Sequence, residues 1–443
     1  MGLRYNHTEP FLPQHNNPQS LWMAGLGQST PNAQLTQDLS CDVTVIGAGF
    51  TGLRAAHKLT GAGKSVVVLD AADVGFGASG RNGGQVNPIL PFNGPEQLLR
   101  LVGPNYLQRL TDLSLNSADN LFDFIKQYQI QCDARQHGWL RVDHCERAKN
   151  ESRKNAEAWI KLGAQIEFVD GDDLTALTGS SAYQSGILVP RGGAVQPLAL
   201  AQGIADIAKT AGAKIFGHSA AQRLIQQVDG WKVETASGSV TSQWLILATN
   251  GYTDSLYKGL KSAIIPFVSV QIATPKLPPE IINTILPHGH TISDTRRVII
   301  YARREPDDRI VIGSHGNIRK DDSLTGFDWL KRDAERIFPQ LKGIDWEYAW
   351  GGKLAITDDR LPHFHEPAKG LIAGMGYNGR GVAMSNVMGT VLADRVLGMA
   401  PEDLPFPVSP IKKIPFRNVQ LLGKGTAVWW MQLMDKLELL SHR

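Results

Sequence analysis

The 443-residue sequence is poor in cysteine, in clustered charge and in long apolar runs, and each scarcity closes off a class of protein. Its three cysteines, Cys41, Cys132 and Cys145, have no CxxC or histidine-paired spacing, which argues against a disulfide framework or a zinc site and fits a reducing compartment. Lys and Arg total 45 against 42 Asp and Glu, a net +3, and like charges never run together for long, so a nucleic-acid groove lacks its electrostatic footprint. No stretch approaches the ~18 apolar residues of a membrane span. Residues 1–40 show no basic segment followed by an apolar one, so the sequence reads as cytoplasmic.

Glycine, by contrast, is plentiful: there are 45, where average usage would give about 31. Many fall in a few blocks. The first, Gly47-Ala48-Gly49-Phe50-Thr51-Gly52, lies between the β-branched run Asp42–Ile46 and a helical pattern with Leu53, Ala56 and Leu59 on one face. Gly47 suits a tight turn, Gly49 a close approach to pyrophosphate at a helix N-terminus, and Gly52 the packing of that helix on the sheet. Asp70, with Ala71 after it, closes the next strand about 20 residues on, where an acid meets the adenosine ribose. A helix cap is the alternative role for Asp70.

A second block, Gly75 to Gln85, contains Gly77, Ala78, Ser79, Arg81, Asn82, Gly83 and Gly84, and would let a long ligand lie against backbone with Arg81 beside it. A third, Gly374 to Ala383, follows a short apolar strand and opens a helix. Its members Gly376, Tyr377, Asn378, Gly379, Arg380, Gly381, Val382 and Ala383 lie some 300 residues from the first block. A ligand held at both must be long, and FAD fits: the ADP end on Gly47–Gly52, the isoalloxazine at the late helix terminus.

These blocks, with the GGAVQP segment at 192–197, the ATNGY segment at 248–252 and WGGKLAITDDRLP at 350–362, resemble the glycine/D-amino-acid oxidase (DAO) family of FAD enzymes, in the family's order, from about 40 to 420. The resemblance implies an α/β fold: a Rossmann-like FAD domain of the glutathione-reductase type, plus an α+β substrate domain on a mixed, largely antiparallel sheet. The expected FAD domain is discontinuous, 41–95, 190–260 and 350–400, with 96–189 and 261–349 as substrate domain, 1–40 an arm and 401–443 a tail. Ala221, Ala248, Thr249, Asn250 and Gly251 would cover the ADP half. Relatives that tether flavin use a cysteine or histidine that this sequence lacks, so FAD is expected to be non-covalent and to leave the protein on acid precipitation.

The resemblance further implies oxidation of a primary or secondary amine or an amino acid to an imine by hydride transfer to flavin N5, then hydrolysis and reoxidation by O2 or a carrier. A polyamine derivative such as γ-glutamylputrescine is the suggested substrate. A quinone-reducing D-amino-acid or sarcosine-type dehydrogenase and a non-catalytic FAD-binding protein are the alternatives. Candidate reacting-site residues are Lys353, before the flavin-facing segment, and Tyr301, Arg303 and His315 in the substrate sheet, where Arg303 could instead be structural. No metal is expected. The tail residues 427–440 space Trp429 or Trp430 with Leu433, Leu437 and Leu440 as on a helix, expected to dock on its own subunit, with a lid, a dimer contact or a monotopic membrane anchor as alternatives.

Overall fold

A computed structural model describes residues 4–6, 20–27, 31–319 and 323–440. The β-branched run forms the strand Leu39–Ile46, which pairs in parallel with Val66–Leu69 on one side and Ser239–Leu247 on the other. Lys214–Phe216 extends this parallel core, and Leu371–Met375 pairs in parallel with the end of Ser239–Leu247. The start of that long strand turns to antiparallel partners, Gly230–Glu234 and then Arg223–Gln227. Four-residue runs such as Val66–Leu69 are buried throughout, as expected for strands covered on both faces.

Helices Phe50–Gly61, Pro197–Thr210 and Gly381–Val396 cover this sheet. The first and last meet closely enough that a Cβ on Gly389 would stand 2.4 Å from the Thr51 carbonyl oxygen. A second sheet runs Tyr348–Ile356, Ile265–Ala273, Ile310–His315, Tyr301–Arg304, Thr291–Asp294, Trp139–Asp143, Ser185–Val189 and Glu167–Asp170. Every neighbouring pair in it is antiparallel except Thr291–Asp294 with Trp139–Asp143. The architecture is thus the expected α/β plan with one mixed, largely antiparallel sheet.

The strand Tyr301–Arg304 does not extend back to Val298, because side chains take over the backbone donors: Asp294 Oδ1 accepts from Ile300 N–H at 2.9 Å and Asp435 Oδ2 from Val298 N–H at 3.2 Å. The tail helix runs from Arg417 to Leu440, ten residues earlier than its apolar pattern, and it continues through the exposed Gly423 and Gly425 despite their poor helix propensity. Of the N-terminal arm, Arg4–Asn6 adds an edge strand to Arg223–Gln227, and the helix Leu21–Leu26 buries Leu21 and Trp22; residues 1–3, 7–19 and 28–30 lie outside the described residues.

Candidate active site

The strands Leu39–Ile46, Val66–Leu69 and Ser239–Leu247 all end on one cavity of about 730 Å³, the usual place for a ligand in an open parallel sheet. The second sheet forms its other wall. Gly47 sits at φ 113°, and a Cβ there would lie 2.7 Å from the Ala248 carbonyl oxygen; one on Gly52 would lie 2.0 Å from the Gly47 carbonyl oxygen. Only hydrogen fits at either place.

Helices Phe50–Gly61 and Gly381–Val396 both start at this cavity and neither is capped by the side chain of its own N-cap residue. Two positive helix ends therefore face one space, joined by a 2.6 Å hydrogen bond between the buried Thr51 and Tyr377 hydroxyls. The predicted cofactor residues line the cavity except Ala48, Gly52, Gly84, Lys353, Gly376 and Ala383. A cavity of this size, lined by a glycine turn and by the starts of two helices, fits FAD.

Several polar side chains in these blocks hold protein as well as lining the cavity. Asn82 Nδ2 donates to the Ala78 and Ser79 carbonyls while its Oδ1 accepts from Gly84 N–H at 2.7 Å. Gln85 Nε2 donates to Ile292 and Ala302 carbonyls, lashing the second block to the second sheet. Asn378 Oδ1 accepts from Thr357 N–H at 3.0 Å. Arg81 lies with its guanidinium 4.2 Å from the Phe76 ring centre.

Asp70 braces the backbone of two turns and is the N-cap of no helix among the described residues. Its Oδ2 accepts from Ala48 N–H at 2.7 Å and its Oδ1 from Ala72 N–H at 2.9 Å, yet it also lines the cavity. Burial pushes its carboxyl up to about 6, against the pull of those two amides.

The four reacting-site candidates divide. Tyr301 reaches the cavity between two glycines: Cβ atoms on Gly83 and Gly313 would stand 2.6 and 2.1 Å from its ring. Its hydroxyl shares a 2.7 Å hydrogen bond with Ser269 and accepts from Gln271 Nε2, and burial raises its pKa. His315 also lines the cavity, with Nδ1 3.1 Å from the Val268 carbonyl; burial first, then Lys424, push its pKa down to about 4, so the ring is neutral with its proton on Nδ1.

The other two stand outside. Arg303, 1% exposed, is clamped to Glu305 and donates to the Val195 carbonyl at 2.7 Å and the Gly83 carbonyl at 3.3 Å, behind the second glycine block. Placing it in the substrate pocket is thereby corrected: the buried carboxylate two residues on draws it inward. Lys353 is absent from the cavity wall, and its ammonium lies 5.7 Å from the Tyr252 ring centre.

Sequence reasoning missed Arg141. Register places Arg141 beside Ser293, Ser293 beside Tyr301, Tyr301 beside Gly313 and Gly313 beside Gln271, one row across the second sheet. Arg141, Ser293, Tyr301 and Gln271 all line the cavity. Burial lowers the pKa of Arg141, opposed by Asp143 and Glu151. Arg380, whose guanidinium lies 4.4 Å from the Trp139 ring centre, is pushed down to about 9 by burial and then by Arg141. An arginine in the middle of the apolar strand WLRVD was the available signal.

Among the described residues, His144, Cys145 and Glu438 bring metal-type ligand atoms within 4.8 Å of one another. Glu438, however, already faces two guanidiniums, Arg297 at 2.8 Å and Arg147 at 3.0 Å, and works as an ion-pair anchor for the tail helix.

The sequence profile of the FAD dependent oxidoreductase (DAO) family matches residues 42–395, and the chain belongs to that family. It is an FAD-dependent oxidoreductase acting on amines or amino acids. It is 33% identical over 419 residues to the probable oxidoreductase OrdL of Haemophilus influenzae, covering 91% of this chain and 94% of that protein. With gamma-glutamylputrescine oxidoreductase of Escherichia coli the identity is 30% over 420 residues, 90% of this chain and 95% of the relative. The glycine oxidase structure from Geobacillus kaustophilus shares the fold, with a TM-score of 0.70 at 18% identity over 84% of this chain and 99% of that one.

Proposed function

We propose that the chain oxidises the C–N bond of an amine bearing a carboxylate, γ-glutamylputrescine or a related polyamine derivative, to an imine that water then hydrolyses. The observation that carries this reading is the pair Arg141 and Arg380: two guanidiniums share the cavity, and among the described residues neither forms an ion pair to a carboxylate. Half-buried cations of like sign repel, so an anionic group entering between them is favoured, and guanidinium matches carboxylate in two-point geometry. The 30% identity to gamma-glutamylputrescine oxidoreductase agrees with such a substrate.

In this reading Gly47–Gly52 take the pyrophosphate of FAD, Asp70 a ribose hydroxyl, and Gly379–Val382 the pyrimidine side of the ring. Bound there, FAD supplies the acceptor for the hydride that leaves the carbon next to nitrogen. Tyr301 Oη and Gln271 Oε1, which has no partner among the described residues, offer acceptors for the amine N–H groups. Neutral His315 adds no positive charge that would repel an amine. Residues 41–95, 190–260 and 350–400 then form the FAD unit, and 96–189 with 261–349 the substrate unit.

The test is anaerobic mixing of the yellow enzyme with γ-glutamylputrescine, putrescine, sarcosine and D-alanine while the flavin absorbance is followed. Bleaching by the carboxylate-bearing polyamine ahead of putrescine is expected. Faster bleaching by putrescine would end the proposal.

A further inference from the structure

The helix Arg417–Leu440 has two unlike faces. Its inner face is fastened along its length. Arg417 Nε donates to the Ile264 carbonyl at 2.8 Å, the Lys424 ammonium lies 4.9 Å from the Phe267 ring centre, Val428 is buried, and Met431 enters the cavity wall. Asp435 and Glu438 both bind Arg297 at 2.8 Å.

Among the described residues nothing covers the outer face. Val419, Leu422, Trp430 and Leu437 recur at helical spacing and are 65%, 87%, 57% and 50% exposed, with Trp429 beside them at 60% and Phe416, at 81%, just before the first turn. Thr426 and Leu433 complete the stripe, which therefore carries no charge from end to end. Contiguous exposed apolar area of this kind marks a binding surface.

Charge says what covers it. The only acids from 404 to 440 are Asp435 and Glu438, and both are turned inward onto Arg297, whereas Lys412, Lys413 and Lys436 are exposed. The outer surface is thus apolar with a cationic margin. A second copy docked about a two-fold axis would bring cationic margin against cationic margin, while anionic headgroups complement it. Adjacent Trp429 and Trp430 suit the headgroup boundary, where an indole buries its ring and keeps its N–H wet. Among the described residues no helix is long and apolar enough to cross a membrane, so this one would lie along the surface.

We propose that the outer face of Arg417–Leu440 docks the enzyme on an anionic lipid surface. The fold holds the helix by its polar and buried side and offers bilayers the other. Because Met431 belongs to the cavity wall, the docked lipid lies directly behind one wall of the active site.

The full chain loaded with FAD is floated with vesicles of equimolar phosphatidylcholine and phosphatidylglycerol, or of phosphatidylcholine alone. It is expected to float with the anionic vesicles and to be released by salt. Lys412→Gln with Lys413→Gln should lower the vesicle partition coefficient about thirtyfold, and Trp429→Ser with Trp430→Ser should abolish flotation, both keeping the flavin spectrum and the turnover of amine with a soluble dye. Three results overturn the proposal: no flotation by a monomer, equal flotation with both vesicle types, or a dimer in sedimentation that the double tryptophan variant splits.

Discussion

Replacing Arg141 by glutamine separates substrate recognition from stability, because the two respond in opposite directions. A charge-assisted hydrogen bond to a buried group contributes about 1.5–3 kcal/mol, so Arg141→Gln should lower kcat/KM for γ-glutamylputrescine roughly ten- to 150-fold. Putrescine, with no carboxylate, should lose little. In the substrate-free protein the guanidinium is held against Arg380 in a site where burial lowers the pKa of both, so its removal relieves repulsion. The thermal midpoint of the variant should therefore hold or rise. Steady-state kinetics on the two amines, with a melting curve on the same preparation, checks both halves. Equal losses on the two substrates together with a lowered midpoint would refute the reasoning and make Arg141 a structural strand residue.

Asp70, in the proposed ribose contact, should make FAD affinity pH-dependent. Its carboxyl sits near 6 where a free Asp is 3.8, so its contribution to stability is full below about 4 and is lost as pH rises through about 6. A ribose hydroxyl favours the ionised form, so the FAD dissociation constant, followed by flavin fluorescence, should fall between about pH 5 and 7, and Asp70→Asn should flatten that curve; a wild-type constant independent of pH counts against the contact. Arg303→Met should lower the melting temperature by leaving Glu305 buried with only Arg135, 3.5 Å away, at a cost of about 3 kcal/mol or more, and Glu305→Leu in the same chain should restore part of it. An unchanged midpoint with a raised KM would instead put Arg303 in contact with substrate. Gly52→Ala forces a Cβ onto the Gly47 carbonyl oxygen and should yield colourless protein on purification, a loss read directly from the visible spectrum.

The cofactor wall was legible because glycine spacing reports on backbone contact, which is local: Gly47 to Gly52 form one turn between one strand and one helix. The second sheet was less so. Thr291–Asp294 is a four-residue strand of mixed polarity whose place is fixed by Trp139–Asp143, some 150 residues away, and nothing within TISD announces it. Arg303 illustrates the same limit. The sequence places it with Tyr301 in the substrate sheet, and what sets its direction is the Glu305 carboxylate and two carbonyls from distant loops. Asn82 and Gln85 line the cavity, and their amides also hold backbone: Asn82 the turn around it, Gln85 two strands more than 200 residues away, which no local pattern announces.

The cavity wall draws residues from Ile46 to Met431. During synthesis, the first glycine turn leaves the ribosome long before the helix that begins at Gly381, and the Thr51–Tyr377 bond closes a loop of more than 300 residues. The chain must accordingly be almost finished before FAD has both ends of its berth. Cofactor capture is then a late event in this protein's maturation, one that seals the meeting of distant segments instead of seeding it.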